Sequence, residues 1–343
     1  MDLFELTRAL VDIDSVTGRE RAVGDFLFEH LQGLAAGTGG QVERLPVAAD
    51  RFNLFASWPE PGGEPAVVLS THLDTVPPFV PASEDAAHIW GRGACDTKGA
   101  IAAMVKAVEA LLADGAKGFG LLLVVGEETD SVGATAANRQ PRGARFLING
   151  EPTENRLALG SKGALYLDVV AEGRMAHSAY PELGASAIDR LLQALDRLRE
   201  VELPADPVLG ATTVNIGTLA GGRAPNVVAD QARAEVMIRT VGDTAGLRAA
   251  VARALAVPGV RLACTREVPA VRLSALPGFE TTVVKYTTDV PRLDRWGTPF
   301  LVGPGSIHVA HTPEERVPKA ELTAAVGLYR DLVARLLQGE TPG

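Results

Sequence analysis

Residues 67–99 read VVLSTHLDTVPPFVPASEDAAHIWGRGACDTKG, and the fold can be read outward from this stretch. Val67, Val68 and Leu69 form an apolar, β-branched run bounded by polar residues, the pattern of a buried strand. At its end stand His72 and Asp74, two apart, so on an extended backbone both side chains leave on the same side. A glycine turn (Gly91, Gly93) then delivers Asp96 just ahead of KGAIAAMVKAVEALL, whose spacing predicts a helix from about Lys98 to Ala113. An imidazole and two carboxylates at the carboxyl end of a buried strand suit a borderline cation such as zinc.

The same pattern repeats on both sides of this stretch. Residues 2–12 and about 18–33 carry apolar residues at spacings of three and four, which predicts two opening helices. Strand-like runs follow at RFNLFASW and PAVVLSTHLD. The apolar strand FGLLLVV (119–125) ends in Gly126-Glu127-Glu128, and ARFLIN ends in Gly150-Glu151. Strands alternating with helices, each ending in polar residues, describe an open α/β sheet with its site at the strand ends. From about residue 163 to 272 the order becomes strand, helix, strand, strand, helix, strand. This is the split βαβ pattern of a ferredoxin-like module. After it GTPFLVGPGS resumes the α/β pattern, and a helix from about Lys319 to Gln338 closes the chain. We therefore expect a discontinuous first domain (1–162 and 273–343) holding an inserted one (163–272).

Composition narrows the function. At 343 residues the chain is long for a single core. A net charge of −9 argues against a nucleic-acid partner, which calls for a basic face. Cys95 and Cys264 make no disulfide framework. Cys95 reads as a small buried residue rather than a nucleophile. No stretch approaches the ~20 apolar residues of a membrane span, and the acidic, amphipathic start MDLFELTRALVDID is unlike a signal peptide. The chain reads as cytoplasmic.

His72, Asp74, Asp96, Glu127, Glu128, Glu151 and His311 all fall at the ends of separately predicted elements. A single strand-end His or a lone Glu pair is ordinarily structural. Gathering this many carboxylates without a cation costs several kcal/mol apiece, and a metal pair removes that cost. His308, three residues before His311, reads as a pocket or surface residue, though spacing alone allows the two to exchange roles. His30 has no acidic or His partner at ligand spacing, and His88, in the loop before Gly91, reads as incidental.

The segments STHLDTV, GRGACDTKG, GEETDSVGA, INGEPT, GRMAHSAYPELGASAI and GPGSIHVAHTPEE resemble, in order and over almost the whole chain, the motifs of a di-zinc hydrolase family. That family contains acetylornithine deacetylase, succinyl-diaminopimelate desuccinylase, aminoacylase and carboxypeptidase G. The resemblance implies a zinc-exopeptidase-like α/β catalytic domain with a mixed central sheet, and an inserted ferredoxin-like domain that acts as lid and dimer contact. It implies two zinc ions per chain, with cobalt or manganese accepted by the same ligands. His72 and Glu151 would hold one ion, Glu128 and His311 the other, and Asp96 both. Asp74 would accept a hydrogen bond from the His72 ring, and Glu127 would be the general base. Which of the two adjacent glutamates does which is carried from the family, since spacing does not decide it.

His177, taken alone, is more often structural; the resemblance makes it the residue that steadies the oxyanion, from a partner subunit. Arg239 and Asn226 fall where the family contacts substrate, and an Arg can clamp a carboxylate with two parallel hydrogen bonds. The chain departs from the family at Ala229, often Pro, and at Thr97, often Met. The expected activity is hydrolysis of the amide of a small N-acyl amino acid, nearest to acetylornithine deacetylase in arginine or lysine biosynthesis. Desuccinylase, carrier-linked lysine or ornithine hydrolase, and dipeptidase or carboxypeptidase are the alternatives, and the expected assembly is a homodimer through the inserted domain.

Overall fold

A computed structural model describes residues 1–342. The strands of the two principal sheets and the α-helices, in chain order, are α1 (Leu3–Val11), α2 (Arg21–Ala36), β1 (Gln41–Ala48), β2 (Arg51–Trp58), β3 (Val67–His72), α3 (Gly99–Ala113), β4 (Phe119–Val124), α4 (Val132–Asn138), β5 (Phe146–Asn149), β6 (Gly163–Glu172), α5 (Ala187–Arg199), β7 (Thr213–Gly221), β8 (Gln231–Thr240), α6 (Ala245–Ala254), β9 (Val260–Val268), β10 (Thr298–Leu301) and α7 (Lys319–Leu337).

The chain forms two compact units. The first comprises Met1–Leu159, Leu273–Thr282 and the chain from Thr288 on; the second comprises Gly160–Arg272 and Val283–Thr287. Sequence reading treats the inserted segment as continuous. In the structure the chain enters the second unit twice, because Val284 accepts the amide hydrogen of Lys162 at 3.3 Å.

In the first unit six strands lie in the order β1-β2-β4-β3-β5-β10. β4, β3, β5 and β10 are mutually parallel, and β2 and β1 continue the sheet antiparallel. The sheet is therefore mixed, with a parallel centre buried on both faces, as such sheets require. Alternation along β3 and β4 divides the core. Leu69, Leu121 and Leu123 face one apolar cluster, with α1, α2, α3 and α7. Val68, Leu122 and Val124 face another, with α4 and Trp296. α1 begins at a capping box, in which Asp2 accepts the amide of Glu5 at 2.8 Å and Glu5 returns the bond at 2.9 Å.

Two of these principal elements escaped the sequence reading. β1 lies at the sheet's edge with alternating exposed and half-buried residues, so it has no apolar run to announce it. It also carries Pro46 beside a register shift, a placement that edge strands tolerate. α4 is seven residues of mostly small side chains and shows no amphipathic stripe.

The second unit is a four-stranded sheet in the order β7-β8-β6-β9, antiparallel throughout. With α5 and α6 between the strands in sequence, this is the split βαβ arrangement. Buried and exposed residues alternate along β8. Its inward residues Ala234, Val236 and Ile238 join Leu191, Leu195 and Leu198 of α5 and Leu247 and Val251 of α6 in one core.

Candidate metal centre

Parallel strands place their carboxyl ends on one edge of the sheet, and four of them do so here. Register aligns His72 of β3 with Val124 of β4, Ser70 of β3 with Asn149 of β5, and Asn149 with Leu301 of β10. The residues that follow these ends, Glu127 and Glu128, Glu151, and the loop to His311, are thus delivered together.

Asp96 is the centre of the group. Its Oδ1 lies 3.1 Å from Nε2 of His72, and its Oδ2 lies 3.2 Å from Nε2 of His311. The ring of His311 also lies 3.1 Å from the Glu128 carboxylate. Candidate ligating atoms fall into two sets, His72 with Asp96 and Glu151, and Asp96 with Glu128 and His311. Within each set they lie within 4.8 Å of one another, and Asp96 belongs to both. His311 has φ of +63°, a left-handed backbone that a non-glycine residue adopts only where its surroundings enforce it. Geometry selects it over His308, which is exposed and belongs to neither set.

The electrostatics are those of a cation site. Burial alone pushes Asp96 up, but the imidazoles of His311 and His72 outweigh it and hold the carboxyl below its usual range. Burial opposes charge on His72, yet Asp96 and the neighbouring glutamates lift the ring well above its ordinary value. Asp96 and Glu128 push His311 up to about 10. Burial raises Glu127, Glu151 and Glu128. Divalent cations bound among these carboxylates and imidazoles would neutralise the buried charge in place of protons. The donor set fits such ions. Nδ1 of His72 lies 2.9 Å from the main-chain carbonyl of Asp74, so that nitrogen carries the hydrogen and Nε2 is left to face Asp96. Among the described residues Oε1 of Glu151 is buried and meets no donor.

Asp74 differs from its expected role. The His72 ring takes the Asp74 carbonyl, and the carboxylate Oδ1 stands 3.6 Å from the ring. That carboxylate instead accepts the amides of Gly126 at 2.9 Å, Glu127 at 3.1 Å and Glu128 at 3.2 Å, and the hydroxyl of Thr17 at 2.8 Å. It therefore shapes the turn carrying both glutamates. Nothing in the spacing of Thr17 marks this contact in advance. Thr97, where the related family often has Met, hydrogen-bonds with Thr71 at 2.7 Å and donates to the carbonyl of His72 at 3.1 Å. The hydroxyl at position 97 thus has its partners in the Thr71 hydroxyl and the His72 carbonyl.

The remaining expected residues lie on the second unit. His177 is exposed, and its Nδ1 accepts the amide of Ala179 at 3.1 Å. The amide of Ser178 donates to the carbonyl of Asn226 at 3.0 Å, so His177 and Asn226 sit on adjacent backbone segments. Arg239 is half-buried on β8 opposite Ala164, with Nη1 buried and, among the described residues, without a hydrogen-bond partner. Elsewhere, His30 lies 3.6 Å from Glu109 and His88 lies 3.6 Å from Asp85, both away from the cluster. Among the described residues no helix is long and apolar enough to cross a membrane.

Comparison with known proteins places the chain in a family. A probable carboxypeptidase of Aspergillus clavatus is 39% identical over 98% of this chain and 83% of its own. A Staphylococcus aureus tripeptidase structure superimposes with a TM-score of 0.82 at 23% identity, covering 97% of this chain and 98% of that one. A Bacillus subtilis protein described as a dinuclear metal-binding peptidase superimposes with a TM-score of 0.71 at 15% identity, covering 98% of each chain. Residues 68–335 match the family described as peptidase family M20/M25/M40. On that match and the 39% identity, the chain belongs to peptidase family M20/M25/M40 and is a hydrolase of the metallopeptidase type.

Proposed function

We propose that the chain is a two-metal amidohydrolase acting on the amide bond next to a free carboxylate, in an N-acyl amino acid or at the C-terminal residue of a short peptide. These substrates share one functional unit, an acyl carbonyl joined to the nitrogen of an amino acid. The observation that carries the reading is Asp96, which presents one oxygen to each of two imidazoles, with a glutamate completing each set. His72, Asp96 and Glu151 would hold one ion and Asp96, Glu128 and His311 the other, zinc being the first choice for these donors and cobalt or manganese acceptable. Bound there, the pair would supply Lewis acidity toward the acyl oxygen and lower the pKa of a water toward ~7.

The chain's own groups do the rest. Glu127 belongs to neither ligand set. Its carboxyl, raised by burial, is suited to take a proton from the attacking water and pass it to the leaving amine. Asp74 holds the turn on which Glu127 and Glu128 ride. In this reading His177 steadies the oxyanion in the site of a partner subunit, and Arg239 and Asn226 contact the substrate, Arg239 by clamping the substrate's carboxylate. A homodimer through the second unit, with β7 at the edge of its sheet, completes the proposal.

Two specificities share this chemistry. Sequence resemblance favours deacetylation of an acetylornithine-like amino acid, and the 39% identical relative named a probable carboxypeptidase favours peptide cleavage. A release assay on zinc-loaded protein against N-acetyl and N-succinyl amino acids, dipeptides and tripeptides separates them. Preference for acetyl-ornithine or acetyl-lysine selects the first, and preference for peptides the second. A wild-type protein that takes up no metal ends the reading altogether.

A further inference from the structure

Glu315 lies four residues beyond His311 and is 2% exposed, a second buried anion close to Asp96. Its Oε1 accepts the amide hydrogens of Gly93 at 2.9 Å, Asp96 at 3.2 Å and Cys95 at 3.4 Å. Its Oε2 lies 2.6 Å from Nη1 of Arg92, itself 3% exposed. The Glu315 main-chain carbonyl accepts the amide of Gly91 at 3.0 Å. One residue thus grips the turn 91–96 by side chain and backbone together. The turn is irregular, with φ of +134° at Gly91 and +85° at Gly93, and Asp96 itself is non-helical. The short antiparallel ladder of Arg316–Pro318 against His88–Trp90 reaches only to the Gly91 amide; among the described residues no strand partner takes the amides of Gly93, Cys95 and Asp96.

A carboxylate in this position is unfavourable by itself, since burial and the nearby Asp96 charge both oppose its ionisation. Arg92, the three amides and the Cys95 thiol, 3.7 Å from Oε1, all donate to it and oppose that cost. On the other side of Glu315 the chain runs back to His311, whose ring meets Asp96 at 3.2 Å. Glu315 therefore joins the loop bearing Asp96 to the loop bearing His311.

We infer that Glu315 is a positioning residue for the metal pair: by holding the Asp96 amide and the turn before it, it sets the aim of the carboxylate shared by the two ligand sets. This rests on the two-metal reading above. It acts through Asp96 and touches neither ion nor substrate.

The test compares Glu315→Gln with Leu27→Ala in the full chain. Leu27 is a buried core residue of α2 and touches none of these groups, so its variant reports what general destabilisation does. In metal-free protein, amide exchange at Gly93, Cys95 and Asp96 should quicken by about one order of magnitude in Glu315→Gln, while the amides of α3 keep their protection. Zinc affinity, read by competition with a chelator, should fall roughly 10- to 100-fold for at least one ion. The visible spectrum of the cobalt-loaded variant should shift with the changed ligand geometry. Leu27→Ala should show none of these site-specific changes. Wild-type exchange and affinity in Glu315→Gln, or equal losses in Leu27→Ala, would overturn the inference. If Glu315→Gln does not fold, Glu315→Asp, which withdraws the oxygens by one methylene, is judged by the same readouts. Failure of wild-type protein to bind zinc would sink the two-metal reading, and exchange at Asp96 would still decide whether Glu315 holds the turn.

Discussion

The carboxylate of Asp74 accepts the amide hydrogen of Glu127 at 3.1 Å, while its own main-chain carbonyl lies 2.9 Å from the ring nitrogen of His72. One residue thus fixes the tautomer of a proposed ligand with its backbone and the seat of a proposed base with its side chain. Asp74→Ala would strand four donors, on Gly126, Glu127, Glu128 and Thr17. Urea unfolding should show a loss of roughly 2–5 kcal/mol, and turnover should fall with it. An unchanged midpoint would mean that water satisfies the turn equally well.

Glu127 and Glu128 are neighbours with different expected tasks. Glu127→Ala should lower turnover by roughly 10²- to 10⁴-fold with metal content near that of the wild type. Glu128→Ala should lose metal. Elemental analysis beside a rate measurement separates the two, and metal loss in the Glu127 variant would exchange their roles.

The buried carboxylates also predict what chelation does. Removing the ions should abolish activity and lower the thermal midpoint, because binding at 1,000 times Kd contributes about 4 kcal/mol to the native state. Returning zinc should restore both. A midpoint indifferent to chelator would show that no cation relieves this cluster.

His177 is exposed, and its removal should cost little stability. His177→Ala is expected to reduce kcat by roughly 10²- to 10³-fold with metal content and unfolding midpoint unchanged. Full activity in that variant would remove the proposed oxyanion role.

Gly305 has φ of +89°, and a Cβ placed on it would lie 2.4 Å from Cβ of Cys95. Gly305→Ala should therefore destabilise by more than about 1 kcal/mol, since strain and collision add. Gly115, with φ of +74° and open space around it, should lose only the backbone part on the same substitution. Equal losses in thermal or urea unfolding would show that the loop gives way at Cys95.

Much of the site is legible in one dimension. Buried parallel strands read as apolar runs, and residues at their carboxyl ends must gather on one edge of the sheet, so His72, the pair Glu127-Glu128 and Glu151 can be picked by position, though position does not say which glutamate of the pair faces Asp96 and His311. The separate core of the second unit is equally visible, as alternation along β8 and amphipathic spacing in α5. The edge strand β1 is not, because half-buried alternation broken by Pro46 leaves no apolar signal.

What the sequence determines by itself is which groups stand at strand ends, since burial dictates the pattern of side chains along each strand. Only the tertiary structure decides what each group faces. It gives the Asp74 carboxylate to three amides and a hydroxyl instead of to a ring, selects His311 over His308, and sets Glu315 beneath Asp96, 219 residues away in the chain. Hydrogen bonds depend on direction over about 3 Å, and loops far apart in sequence reach such distances only once the core has packed.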